Sequence, residues 1–236
     1  MAQSTYIQLV NKVLTRIGGT ALSSDVSSAT GNASIITELI NEAQNVLFSE
    51  ADWQTLSTTR TFVTVSGTQN YARATLASDG ADFGRGINLT DITNDKPLIE
   101  ANIQDFDNID ANANSSGQPL YYAIVGSSYA LYEIPNGTFT IRDRFWKVPA
   151  TLSSDSDTSD LPIECEPCII NFALSRIKEL LKAPIEATIY ERQYAKYLEK
   201  AIASNNRKIN KISVFRPTHS RHINRLPRLP SNYGRR

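Results

Sequence analysis

The chain has little of what active-site chemistry usually draws on. Its 236 residues include two histidines, two cysteines and one methionine. It contains no GxSxG, no phosphate-binding GxxxxGK[ST], no HExxH and no paired CxxC. A nucleophile activated by histidine is therefore not expected, and a two-carboxylate hydrolase is the one enzyme class the composition leaves open. No apolar run approaches the roughly 18–20 residues of a membrane span, and the opening MAQSTYIQLV lacks the basic-then-apolar order of a signal peptide. No membrane partner and no leader are expected. The cysteines form Cys165-Glu166-Pro167-Cys168. A redox dithiol belongs at the strand-to-helix turn of a βαβ unit, and none precedes this one. Zinc would have to recruit His219 and His222 across some fifty residues with a spacing that fits no finger. Two reduced cysteines at a helix start, in a reducing cytosol, are expected, with no metal and no cofactor.

Charge is balanced in number, 24 basic against 24 acidic, but not in place. Residues 207–236 hold nine of the basic residues, both histidines and no acid. Residues 1–206 are left with fifteen basic against 24 acidic, about −9 beside a tail of +9. Segregation on this scale implies a tail with a partner of its own. The tail also carries apolar residues between its cations, among them Ile212, Phe215, Ile223, Leu226, Leu229 and Tyr233, which a merely solvated tail would lack. Pro217, Pro227 and Pro230 forbid a continuous helix and favour an extended course. Thirty extended residues reach roughly 100 Å, far enough to leave their own subunit. Arg216, Arg221, Arg225, Arg228, Arg235 and Arg236 lie among these anchors, a bias toward arginine that suits fixed, forked pairing with carboxylates.

Between the ends the periodicity changes twice. Residues 4–17 place Tyr6, Val10, Val13, Leu14 and Ile17 on one helical face, and Gly18-Gly19 ends it. Residues 20–33 are a loop, Ser34 is the expected cap of a second helix to about Asp52, and Ile36, Leu39, Ile40, Ala43 and Leu47 form its buried stripe. From Leu56 to Pro149 the pattern is that of short strands, including a meander through Leu120–Val125, Tyr129–Ile134 and Thr138–Val148. Residues 105–117 are expected to be a surface excursion. TLSSDSDTSDLP, residues 151–162, lacks the glycine and distal glutamate of a calcium loop and is expected to be an acidic linker. Helices return from Glu164 to Lys182 and from Ile185 to about Asn205, broken by Ala183-Pro184. The predicted fold is α+β: a four-helix body from residues 1–55 and 160–206, an inserted antiparallel β subdomain over 56–149, and the extended basic tail 207–236.

LVNKVLTRIGG, INEAQNVLFSEADWQTLSTTRTF, GQPLYYAIVGSSYALYEIPNGTFTIRDRFWKVP and the DTSDLP before two helices resemble the head-to-tail adaptors of tailed bacteriophages, also called tail tubular protein A in short-tailed phages. The resemblance spans nearly the whole chain. It implies a structural, non-enzymatic virion protein of the neck, assembled in the host bacterial cytoplasm. Such proteins form a ring, usually of twelve copies, beneath the portal and above the nozzle or next tail protein, and genomic DNA passes through the lumen. It also implies that the C-terminal segment reaches the portal, so the tail residues named above are the expected portal-docking residues. A competing reading makes the basic tail a phosphate-neutralising arm of a nucleic-acid-binding module.

Overall fold

The structure, a computed structural model, describes residues 2–23, 25–73, 83–110 and 115–210. It is mixed α+β with five helices and several largely antiparallel sheets. α1 spans Tyr6–Arg16. Thr5 N–H donates to Gln8 Oε1 at its start (3.1 Å), and Gly18, at φ +82°, lets the chain leave the helix. α2 runs Asn32–Glu50. It is entered through Gly31 at φ +59°, not capped by Ser34 as expected: a left-handed glycine turns the chain three residues earlier, and Ser34 falls inside the first turn. Trp53 follows, fully buried, its indole N–H donating to Leu47 O at 2.6 Å. α4, Glu166–Leu180, and α5, Pro184–Asn210, are separated where expected, with proline at the first position of α5. α5 continues to Asn210, past the expected end at Asn205, so residues 207–210 extend a helix instead of beginning an extended segment. Leu9, Val13, Ile36, Ile40, Leu47, Ile169, Phe172, Leu174 and Ala201 belong to one hydrophobic cluster, so the two ends of the chain share a core.

Residues 151–162 are not a free linker. Asp155 accepts from the backbone N–H of Asp25 and Val26 (both 2.7 Å), Asp157 O accepts from Tyr6 N (2.7 Å), and Asn41 exchanges two hydrogen bonds with the backbone of Leu152. Leu152 and Leu161 are buried in the helical cluster. The acids serve as acceptors for loop and helix-start amides, which a reading of charge alone could not show.

Ten strands follow the change of period: β1 Ser57–Val63, β2 Asn70–Ala72, β3 Phe83–Asp91, β4 Lys96–Pro97, β5 Ile99–Glu100, β6 Ser116–Gly117, β7 Tyr121–Val125, β8 Ser128–Tyr132, β9 Ile134–Pro135 and β10 Thr140–Lys147. One sheet has the order β1-β10-β3-β4 and a second β2-β8-β7-β5, and their inner faces meet through Phe62, Leu89 and Ile141 on one side and Tyr71, Tyr122, Tyr129 and Leu131 on the other. The expected meander holds for the β7–β8 hairpin but breaks after Pro135-Asn136-Gly137, where β10 crosses to the first sheet between β1 and β3. Two short pairings, β5–β7 and β6–β9, are parallel, so the expected antiparallel subdomain is not wholly so. The expected excursion at 105–117 begins as a helix instead, α3, Ile103–Asp110, because Asn102 Oδ1 accepts the N–H of Asp105 (2.8 Å) as an N-cap. α3 lies on β7, against the outer side of the second sheet, where Ala101, Ala123, Ala130 and Tyr132 pack together.

The sandwich and the helices meet at one compact junction. Arg85 of β3 donates to Phe48 O and Ala51 O (both 3.1 Å), pairs with Asp52 at 3.0 Å, and lies over the rings of Phe48 and Trp146. Gly84 is required beside it: a Cβ there would stand 2.7 Å from Trp146 O and 2.4 Å from Phe48 Cζ.

Candidate assembly surfaces

The most conspicuous charged group is sealed inside. Arg60 of β1 and Asp143 of β10 are directly paired in register on the inner face, with side chains 3% and 1% exposed. Arg60 Nε donates to Asp143 Oδ2 at 2.9 Å, Tyr129 O–H donates to the same oxygen at 3.0 Å, and Arg60 Nη1 donates to Arg73 O. Asp143 Oδ1 is buried without a partner. Burial raises the Asp143 carboxyl above its ordinary value despite the opposing pull of Arg60. The Arg60 guanidinium stacks 4.7 Å from the Phe145 ring. This is an ion pair packed against aromatic rings and almost wholly shielded from solvent. Nor do the cysteines form a reactive pair: both are buried thiols at the start of α4, and burial pushes Cys168 up to about 12. Among the described residues no cluster of three or more histidine, cysteine, aspartate or glutamate side chains could hold a metal, and no helix is long and apolar enough to cross a membrane.

The outer surface is more informative. A groove of about 510 Å³ runs between α1, the start of α4 and α5, lined by Lys12, Arg16, Asn171, Tyr190, Gln193 and Tyr197 among others. Its floor is a clasp in which Glu166 accepts from Ser4 N, Ser4 Oγ and Lys12 Nζ. Burial alone would raise the Glu166 carboxyl, but the Lys12 and Ser4 hydrogen bonds outweigh it and hold the group below its ordinary value. A folded-state value depressed in this way contributes stability above the unfolded carboxylate range, near 4.3, that is lost as pH falls through the folded value. Glu166→Gln is therefore expected to flatten the acid limb of a denaturation-versus-pH curve below about pH 4.3 while lowering the neutral plateau. An unchanged acid limb would show that the clasp does not hold α1 to α4.

At the corner between α4 and α5, Leu180, Leu181, Ile185 and Ile189 are all exposed, Ile185 by 79%. α5 itself buries only Ala201 and Asn205 among its described residues, and packs through Tyr190, Tyr194, Leu198 and Ile202. Most of its surface is free to meet another chain.

The residues that the sequence singled out for docking, Ile212, Phe215, Arg216, Arg221, Ile223, Arg225, Leu226, Arg228, Leu229, Tyr233, Arg235 and Arg236, lie outside the described residues, as do His219 and His222. The structure brings the chain to Asn210 on a helix that carries it away from the α4–α5 corner. What the sequence reading missed is the buried Arg60–Asp143 pair. The alternation that put Phe139, Ile141 and Phe145 on one face also put Asp143 there, opposite Arg60 across the β1–β10 ladder.

A model of one protein family, the SU10 adaptor protein, matches residues 4–218. The chain belongs to the SU10 adaptor protein family. It is thus a phage structural adaptor. The matched span takes in both helical ends, all of the described strands and the first residues of the basic segment through Thr218. No curated protein matches the chain.

Proposed function

We propose that this SU10 adaptor family member is a head-to-tail adaptor that forms a ring beneath the portal, joins capsid to tail and lets genomic DNA pass through its lumen. The observation that carries the reading is the family match over residues 4–218, which unites the helical ends, the β insertion and the start of the basic segment in one pattern. The layout that serves it is a helical body over 1–55 and 160–206, a β subdomain over 56–149 and a portal-docking segment from the end of α5 onward. Neighbouring copies, the portal and the nozzle or next tail protein are its partners, and it acts in the virion neck by structure, not catalysis. An exposed α5 and an apolar α4–α5 corner supply surface for several such contacts. The net negative body suits a conduit, since acidic walls repel phosphate. Electron microscopy of particles, with and without the gene for this chain, tests the reading: a ring of density between portal and tail is expected only when the chain is made. Density unchanged without it would overturn the proposal. A steep salt dependence of duplex binding by the free chain, with no portal binding, would favour the nucleic-acid module instead.

A further inference from the structure

The two outer faces of the β sandwich differ in charge. On the outer face of the first sheet, Arg142 and Arg144 stand side by side on the central strand β10, opposite Thr61 and Thr59 of β1 and beside Thr90 and Asn88 of β3. Every outward residue of β1 is exposed and so is Arg144, so this side is open along its β1 edge, while Thr90 of β3 is buried and Trp146 is taken up by the junction with the helices. Among the described residues neither arginine has an ion-pair partner. β1, β10 and β3 place no acid on this face, and exposed Val63 and Ile92 give it an apolar end. The outer side of the second sheet carries α3, whose eight residues, IQDFDNID, include three aspartates and no cation. Exposed Ile103 stands two residues before exposed Asp105 on α3, and Ile99, bonded through its N–H to Leu120 O, adds exposed apolar surface at the edge strand β5 of that sheet.

We propose that these two faces are partners: the Arg142/Arg144 sheet face of one copy docks on α3 of the next. The inference rests on the ring reading and names the surfaces through which neighbours meet. Signs are complementary, and each face sets charge beside exposed apolar side chains, the mixture that an interface core and rim require. The faces lie on opposite sides of a two-layer sandwich. A copy bound through one still presents the other, which is the heterologous arrangement that closes rings. Self-pairing of the arginine face would set like charges together, so a two-fold dimer through it is disfavoured.

Cross-linking tests this directly, because both native cysteines are buried and contribute little background. With a short bis-maleimide, Thr59→Cys and Gln104→Cys are each expected to remain monomeric, their mixture to yield dimers, and the doubly substituted chain to yield a ladder. Adding Arg142→Glu and Arg144→Glu to the doubly substituted chain should reduce the ladder at least tenfold without lowering its melting temperature. Asp105→Lys in the same chain should restore it in part. Dimers from Thr59→Cys alone would reveal a two-fold contact and overturn the inference. A ladder absent both in solution and in particles would overturn it too. If those particles still contain the protein, the adaptor reading stands and the ring closes through other surfaces. Loss of duplex DNA binding on Arg142→Glu and Arg144→Glu, with no ladder from the parent, would assign the face to nucleic acid and overturn the contact between copies.

Discussion

Replacing Arg60 by methionine is expected to destabilise the protein by about 3–5 kcal/mol at neutral pH, measured by urea denaturation. The size follows from what remains. Asp143 is 1% exposed, one of its oxygens has no partner, and the other keeps only the Tyr129 hydroxyl once the guanidinium is gone. The carboxylate must then stay charged without its cation or take up a proton, and either choice is unfavourable at pH 7. The loss should shrink as pH falls below neutrality, because burial already raises the Asp143 carboxyl and protonation removes the stranded charge. The sign is that of an acid whose folded value lies above its unfolded one: its contribution is present at low pH and lost as pH rises through the folded value. Arg60→Met combined with Asp143→Leu should recover part of the loss, since two apolar side chains beside Phe62, Ile141 and Phe145 remove the stranded carboxylate. A single-variant effect below about 1 kcal/mol would mean that water reaches the pair and that the sandwich is looser than its packing implies. The pair bears first on the sandwich core, where Tyr129 and Phe145 flank it.

The helical part of the fold was legible because its signals are local. The Tyr6-Val10-Val13-Leu14 and Ile36-Leu39-Ile40-Ala43-Leu47 stripes are buried as their spacing requires, and Ala183-Pro184 breaks the last two helices where a proline must. What escaped the sequence depends on distant partners. β8 and β10 look like neighbours because a turn of proline, asparagine and glycine separates them. Yet β10 finds β1, some eighty residues earlier, and only that pairing explains why Asp143 can be buried. The acidic stretch 151–162 likewise looked solvated because the donors it accepts from, the amides of Tyr6, Asp25 and Val26, lie far away in sequence. α3 was missed for a different reason: eight residues with three aspartates carry little helix propensity, and a single Asn102 cap with a bed of alanines supplies what propensity does not. The candidate site was legible only as composition. Charge segregation marked residues 207–236, and alternation along Thr138–Val148 set Arg142 and Arg144 on the polar side of their strand, whereas only the register showed which strands flank them and that the β1 edge beside them is open.

Removing residues 211–236 is expected to leave stability unchanged within about 0.5 kcal/mol and to reduce incorporation into particles by about a hundredfold or more. The cut belongs after Asn210 and not at Arg207, because α5 runs through residues 207–210 and Asn205 is anchored just before them: its side chain donates to Asp52 O at 2.8 Å and accepts from Gln54 N. A cut at Arg207 would fray that anchor and confuse loss of docking with loss of fold. The deleted segment holds Ile212, Phe215, Ile223, Leu226, Leu229 and Tyr233 between six arginines. Two apolar anchors worth about 2 kcal/mol each, once seated in a partner, already exceed a hundredfold in affinity. Ordering an extended segment opposes this, and Pro217, Pro227 and Pro230 reduce that cost by narrowing the free ensemble. Two partial variants separate the contributions. Replacing the six arginines by glutamine should weaken incorporation more at low salt than at high salt, whereas Phe215→Ser with Leu226→Ser and Leu229→Ser should weaken it at both, because apolar burial is not screened. A truncated chain that melts like the full protein and still enters particles at full occupancy would move portal docking from the basic segment to the helical surface, where the exposed flank of α5 and its corner with α4 would have to carry it.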